Sequence, residues 1–216
     1  MLLTTLLLAA TQLLPGPAPA SDTTRLFQGV RNQTFAWGTL VLQDGRRLQA
    51  YLPVTATGLY MSVPYYAQPP DEQPAAKPKN VNVNKVRFMR VQGQYSELLT
   101  VNKREGGQLA ARRQAGAVEL FLVQMTLPPL LTTFLGSTPV LGSPATHATG
   151  GAITSWYLRR PAAAPILLSP EQFAKQVSSF LSDDKELAAK VAAGAPGYQF
   201  DDLESIIQQY NQRARR

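Results

Sequence analysis

The chain has 216 residues and a net charge of +7, with 44% hydrophobic and 16% charged residues. That is enough apolar material for one good core, or for one domain with a small appendage. Cys is absent, which excludes disulfides, a thiol nucleophile and a thiolate metal site.

Leu2 to Leu14 is a short apolar run that Pro15 and Gly16 break. Ala18-Pro19-Ala20 then supplies small residues at −3 and −1 of a cleavage site, and polar Ser21-Asp22 follows. This layout predicts a signal peptide over residues 1–20. The run is shorter than the ~20 residues of a membrane span. It departs from the usual pattern in having no Lys or Arg ahead of it. Export to the periplasm, the outer membrane or the medium is expected, with no transmembrane span after the signal is removed.

Phe35 to Pro53 reads as a β-hairpin. Trp37, Thr39 and Val41 alternate with Gly38, Leu40 and Leu42, and Asp44-Gly45 is a strong turn signal. Gly58 to Val63 reads as a third strand. Residues 64–80 hold five prolines and read as an exposed, partly extended loop. Strands resume at Val81–Val91, where Val86 and Phe88 share a parity and are expected to face the core together. Tyr95–Val101, Leu109–Arg113 and Val118–Gln124 follow at meander spacing. Met125 to Gly151 is apolar in its first half, rich in Gly, Pro and Thr in its second, and almost uncharged. It reads either as a functional insertion or as a cap on an open end of the sheet. Ile153–Arg159 returns as a strand bearing Trp156 and Tyr157.

The period then changes from two to 3.6. Ser169-Pro170-Glu171-Gln172 predicts a capped helix start, followed by Phe173, Val177, Phe180 and Leu181 on one helical face. Asp183 with Glu186 predicts a second helix that Gly194 and Pro196 end. Asp201 with Glu204 predicts a third, with Leu203, Ile206, Ile207 and Tyr210 inward. The expected fold is therefore α+β: an antiparallel β-meander of about seven or eight strands, able to curl toward a barrel, in a β-rich domain over 21–160. About three short C-terminal helices over 161–216 pack on it, since helices so short need a partner to persist.

Two segments carry a resemblance. Trp37 to Gly45 with Leu48 to Leu52 forms a strand, turn and strand. Phe180 to Leu187, Lys190-Val191 and Ile206 to Asn211 form short helices closing on a Tyr-Asn pair. Together they resemble small exported proteins of Bacteroidota whose function is unknown. The resemblance covers the two ends, about a third of the chain, and the middle departs from it. It implies export and an α+β build, and it carries no catalytic residues across.

Residues Ser21–Arg160 carry 15 Lys/Arg against 7 Asp/Glu, a balance of +8, while Pro161–Arg216 carry 6 against 7, a balance of −1. The positive excess thus lies in the strand-rich part. For an exported chain it suits an envelope protein or an anionic polysaccharide, and no nucleic acid is expected. If strand ends gather on one rim, Arg87, Lys103, Arg104, Arg112, Arg113, Arg159 and Arg160 would form a basic edge beside Tyr95 and Trp156. Basic groups beside aromatic rings suit sugars that bear acids.

Signals for catalysis are weak. His147, the only histidine, sits in a Ser-Pro-Ala-Thr-His-Ala-Thr-Gly-Gly stretch unsuited to holding a general base firmly, and neither Ser143 nor Ser155 lies in a G-x-S-x-G elbow. One His and no Cys point to no metal site, and no phosphate loop or dinucleotide fingerprint points to a cofactor. Asp183-Asp184 and Asp201-Asp202 read as helix caps. Glu97, Glu105 and Glu119 are scattered over strands. The leading expectation is a non-enzymatic binding module. A hydrolase using these carboxylates is one alternative, and a purely structural envelope protein is another. Convergence of the glutamates in a cleft would favour the enzyme.

Overall fold

The computed structural model describes residues 25–71, 76–100, 107–126, 147–149 and 152–214. The described strands are β1 (Phe27–Gln28), β2 (Thr34–Leu42), β3 (Arg47–Pro53), β4 (Ser62–Tyr65), β5 (Lys79–Asn82) and β6 (Val86–Val91). They continue with β7 (Gln94–Leu99), β8 (Gln108–Gln114), β9 (Glu119–Thr126), β10 (His147–Thr149), β11 (Ala152–Arg159) and β12 (Ile166–Leu167). Three helices close the chain: α1 (Phe173–Phe180), α2 (Lys185–Ala192) and α3 (Leu203–Arg213). The fold is α+β. All of the predicted signal segment 1–20 and most of 125–151 lie outside the described residues. Among those described, no helix is long and apolar enough to cross a membrane.

Seven strands lie side by side in the order β3, β2, β6, β7, β8, β9, β11, all antiparallel. β1 shares an edge of β2 with β6, and β10 and β12 share the outer edge of β11. The two ends of this order do not pair among the described residues, so the sheet is open and does not close into a barrel. Strands β4 and β5 form a separate ribbon. It joins β3 through the bridge between Tyr51 and Tyr66.

Local chemistry sets the register. At the β2–β3 turn Asp44 accepts from the Arg46 amide at 3.0 Å, which holds its carboxyl below the ordinary range. Between β6 and β7 the two-residue turn Gln92-Gly93 has φ of 50° and 72°. Two positive φ values define the tight hairpin turn that matches strand twist, and Gly93 takes its share without a Cβ penalty. That turn pairs Arg90 with Tyr95 and Phe88 with Glu97.

Some elements depart from the sequence expectation. Val86 and Phe88 do not face the core together. Val41 pairs with Phe88 but Leu42 pairs with Val86, so Arg87 is the extra residue of a β-bulge. The bulge turns Val86 to the side of Met89 and Val91, and all three are buried in one cluster. The predicted strand from Gly58 begins only at Ser62. The expected loop 64–80 is shorter, because Pro64 and Tyr65 pair with Asn80 and Lys79. A two-stranded ribbon leaves an unpaired edge where proline's missing N–H is tolerated.

The sheet has a helix face and a far face. At one end of the helix face Leu40, Leu52, Met89 and Val91 are covered by Leu59, Val63 and Val83 from the β3–β5 excursion and the turn after it. At the other end Val118, Leu120 and Leu158 are covered by Phe173, Val177, Leu187, Val191, Leu203 and Ile207. Three short helices thus find the partner they need. On the far face Phe27, Phe35, Tyr51 and Tyr66 form an aromatic cluster with edge contacts of 5.0–5.1 Å.

The helix starts use other residues than the pattern suggested. Asp184, not Asp183, caps α2, accepting from the Leu187 amide at 3.0 Å. Gln199 and Asp202 form the capping box ahead of α3, and Asp201 is exposed. Ser169 makes no side-chain cap, because its hydroxyl bonds Glu171 instead. Asp183 is released for a latch. It accepts from the Tyr210 hydroxyl at 2.6 Å and from Arg160 at 3.0 Å, and Arg160 also reaches the Phe180 carbonyl at 2.9 Å. The Tyr210 bond, helped by Arg160, holds the Asp183 carboxyl below its usual range.

Asn211 fastens α3 to the sheet. Its side-chain oxygen accepts from the Val118 N–H at 2.9 Å, and its side-chain NH2 donates to the Val118 carbonyl at 2.8 Å. A side-chain amide thus stands where a neighbouring strand would be. A Cβ at Gly116 would lie 2.4 Å from this amide, so only glycine fits beside it. Asn211→Leu leaves two buried backbone groups unpaired, at roughly 1–3 kcal/mol each. It is expected to cost about 2–6 kcal/mol by urea unfolding. Gln212→Ala, one residue on and exposed, should stay within about 0.5 kcal/mol. Equal midpoints for the two variants would refute this clamp.

Candidate functional site on the far face

Side chains at alternate positions of β6 to β11 meet on the far face. Register places Arg90 opposite Tyr95, Tyr95 next to Arg112, and Arg112 opposite Phe121. Guanidinium and ring therefore alternate across four strands. Phe88 stacks on Tyr95 at 5.4 Å. The Arg90 guanidinium lies 5.3 Å from the Tyr95 centroid and that of Arg112 lies 4.1 Å from it. Arg159 sits over Phe121 at 4.7 Å. Such contacts contribute ~0.5–1 kcal/mol each when exposed and more when desolvated.

Two carboxylates tie the ladder together. Glu119 accepts from Arg112 at 2.9 Å through one oxygen and from Arg159 at 2.6 Å through the other. Glu97 accepts from Arg159 through one oxygen and from the Tyr95 hydroxyl at 2.8 Å through the other. The side chains of Arg159, Glu97 and Glu119 are 18%, 14% and 11% exposed, so these pairs are poorly screened. Burial works against the Arg159 charge, and its bonds to Glu97 and Glu119 outweigh that, raising its pKa. The Tyr95 phenol is pushed up to about 12, first by burial and then by its hydrogen bond to Glu97.

Of the nine rim residues predicted from sequence, the seven described ones do not gather on one rim. Tyr95, Arg112 and Arg159 come together in the ladder. Arg113 lies on the helix face and pairs with Glu204 of α3 at 3.0 Å. Trp156 also lies there, packed against the helical core. Arg160 belongs to the helix latch. Arg87 is the exposed bulge residue. Lys103 and Arg104 lie outside the described residues, as does Glu105. Adjacent basic residues point to opposite faces of a strand, so pairs such as Arg112-Arg113 and Arg159-Arg160 divide. Sequence reasoning missed Phe88 and Arg90, and it did not join Glu97 and Glu119 to the arginines. The Gln92-Gly93 turn carried the signal for the first pair, since it places Arg90 directly opposite Tyr95.

The two glutamates do converge, but on arginine. All four of their oxygens are already engaged, so neither carboxyl is presented to a substrate as free acid or base. Among the described residues no group of three or more His, Cys, Asp or Glu could hold a metal ion. No protein family, curated protein or solved structure matches this chain.

The Tyr95 phenol has a direct readout. A folded-state pKa raised above 10.0 favours the neutral form. Its contribution to stability is complete below pH 10 and fades as pH rises toward about 12. Glu97→Gln removes the acceptor's charge, so one tyrosine should ionise at lower pH than in the parent protein. Ultraviolet difference titration measures this, and superimposable phenolate curves would contradict the assignment.

Proposed function

We propose that this chain is an exported, non-enzymatic binding module that engages an acidic polysaccharide of the cell envelope through the far-face ladder. The observation that carries this reading is the charge and chemistry of the ladder itself. Three guanidiniums, of Arg90, Arg112 and Arg159, meet two carboxylates, and the one left over is the exposed Arg90. Arg47 lies on the same face, two strands across from Phe88, is exposed and has no ion pair among the described residues. Ring faces beside unpaired guanidiniums suit a sugar ring that carries an acid, since the ring stacks while the carboxylate pairs. The basic balance of the strand-rich part supports the same reading. Export is supported by the apolar run and the Ala-Pro-Ala site before Ser21.

A hydrolase built on Glu97 and Glu119 is less well supported, because its carboxylates would first have to leave Arg159. Retention of the protein on immobilised polygalacturonate tests the binding reading. Salt should elute it, and Arg90→Ala and Arg47→Ala should each elute at lower salt, with affinity reduced roughly 3–10-fold. Lys185→Ala, which removes an exposed charge on α2, should elute with the parent protein. Equal elution of all four proteins, or no retention at all, would overturn the proposal.

A further inference from the structure

The helix face contains a cleft where its two covers meet. Across the middle of that face the cross-strand row reads Met89, Ser96, Ala111, Leu122. Its central members are small, whereas the flanking rows carry large side chains such as Leu109, Leu120 and Leu158. Neither the β3–β5 cover nor the helices fill the space above Ser96 and Ala111. What remains is a cleft of about 300 Å³, walled on one side by residues 54–57. This volume lies at the lower end of the roughly 300–1,000 Å³ of small-molecule sites.

The wall is fixed. Gln33 donates to the Thr57 carbonyl at 3.1 Å, the Thr57 hydroxyl bonds Gln124 at 3.2 Å, and the Gly58 amide reaches the Gln124 carbonyl at 3.4 Å. The lining is also chemically specific. Ser96 is only 4% exposed and lines the cleft, and its hydroxyl makes no hydrogen bond among the described residues. Gln94 and Thr55 add an amide and a second hydroxyl, and Leu122 supplies apolar surface. Arg113 stands in the lining with its charge answered by Glu204, so the cleft carries no net charge.

We propose that this seam cleft binds a neutral polyhydroxylated molecule of single-sugar size, with Ser96 hydrogen-bonding a ligand hydroxyl at the floor. The site is separate from the ladder, which lies on the opposite face and is selective for negative charge. Neutral hydroxyl and amide groups around an apolar floor match a sugar's alternating hydroxyls and C–H surface, and they offer nothing to an acidic group.

The test is titration of the full chain, observed by amide NMR, with glucose, galactose and N-acetylglucosamine into the millimolar range. At least one should give saturable shifts at Ser96, Ala111 and Thr57. Ser96→Ala should weaken that binding roughly 5-fold, the loss of one hydrogen bond. Ala111→Leu should fill the cleft and remove the shifts. Thr57→Val, at the wall, gives a second and milder loss should Ala111→Leu disturb the fold, which the same spectra reveal. Lys185→Ala, on α2, should bind like the parent protein. Absence of saturable shifts with all three sugars, or unchanged binding by folded Ala111→Leu, would overturn the proposal and leave the cleft to solvent.

Discussion

A single sheet that is wider than any one cover sets most of what this chain does. Seven adjacent strands at ~4.8 Å spacing span about 29 Å. The helices of 8, 8 and 11 residues are only about 12–17 Å long. They cannot cover the helix face alone, so the chain covers it twice, first with the β3–β5 excursion and then with the helices. Each cover is fastened by a small number of directional bonds. The Tyr51–Tyr66 bridge holds the first. The Asn211 amide on Val118 and the latch of Arg160, Asp183 and Tyr210 hold the second. The exposed Arg113–Glu204 pair adds at most about 1 kcal/mol. The seam between the covers falls where Ser96 and Ala111 leave room, so the cleft is a consequence of the architecture.

The far face solves the opposite problem. Among the described residues, ion pairs and rings, not a helix, dress it over β6 to β9. Arginine suits this role because its stem covers apolar surface while its planar head stacks on a ring and bonds two carboxylates. Arg159 does all three, over Phe121 and between Glu97 and Glu119. Removing one partner from such a set strands a poorly solvated charge, so the members depend on one another. The same interdependence makes the glutamates poor acid–base catalysts and leaves Arg90 at the end of the ladder with no ion pair among the described residues.

Much of this was legible in the chain, for physical reasons that differ by element. Tight turns announce themselves, so Asp44-Gly45 gives its register without any tertiary knowledge, whereas the Gln92-Gly93 turn went unread because Gln seldom takes a positive φ. The change of period after Pro161 marks the helices, because amphipathic spacing reflects burial directly. The closing Tyr210-Asn211 pair was visible as a pattern, but its work was not. An amide that replaces a strand is a contact 93 positions away in sequence. The bulge at Arg87 was hidden because an inserted residue changes parity without changing composition. Asp183 looked like a cap because carboxylates favour helix starts. Asp184 took that place, and tertiary packing gave Asp183 to Tyr210. The predicted basic rim treated strand ends as one location, whereas alternation sends neighbouring arginines to opposite faces.

The two covers leave a solvent-reachable seam over Ser96. A chain without cysteine allows a clean test, since Ser96→Cys would carry the only thiol. The account predicts that this thiol reacts with a small methanethiosulfonate reagent in the native protein. Ala110→Cys, fully buried on the far face, should react only on unfolding. A Ser96→Cys thiol as protected as that of Ala110→Cys would show that the covers close over the sheet, and it would contradict the account.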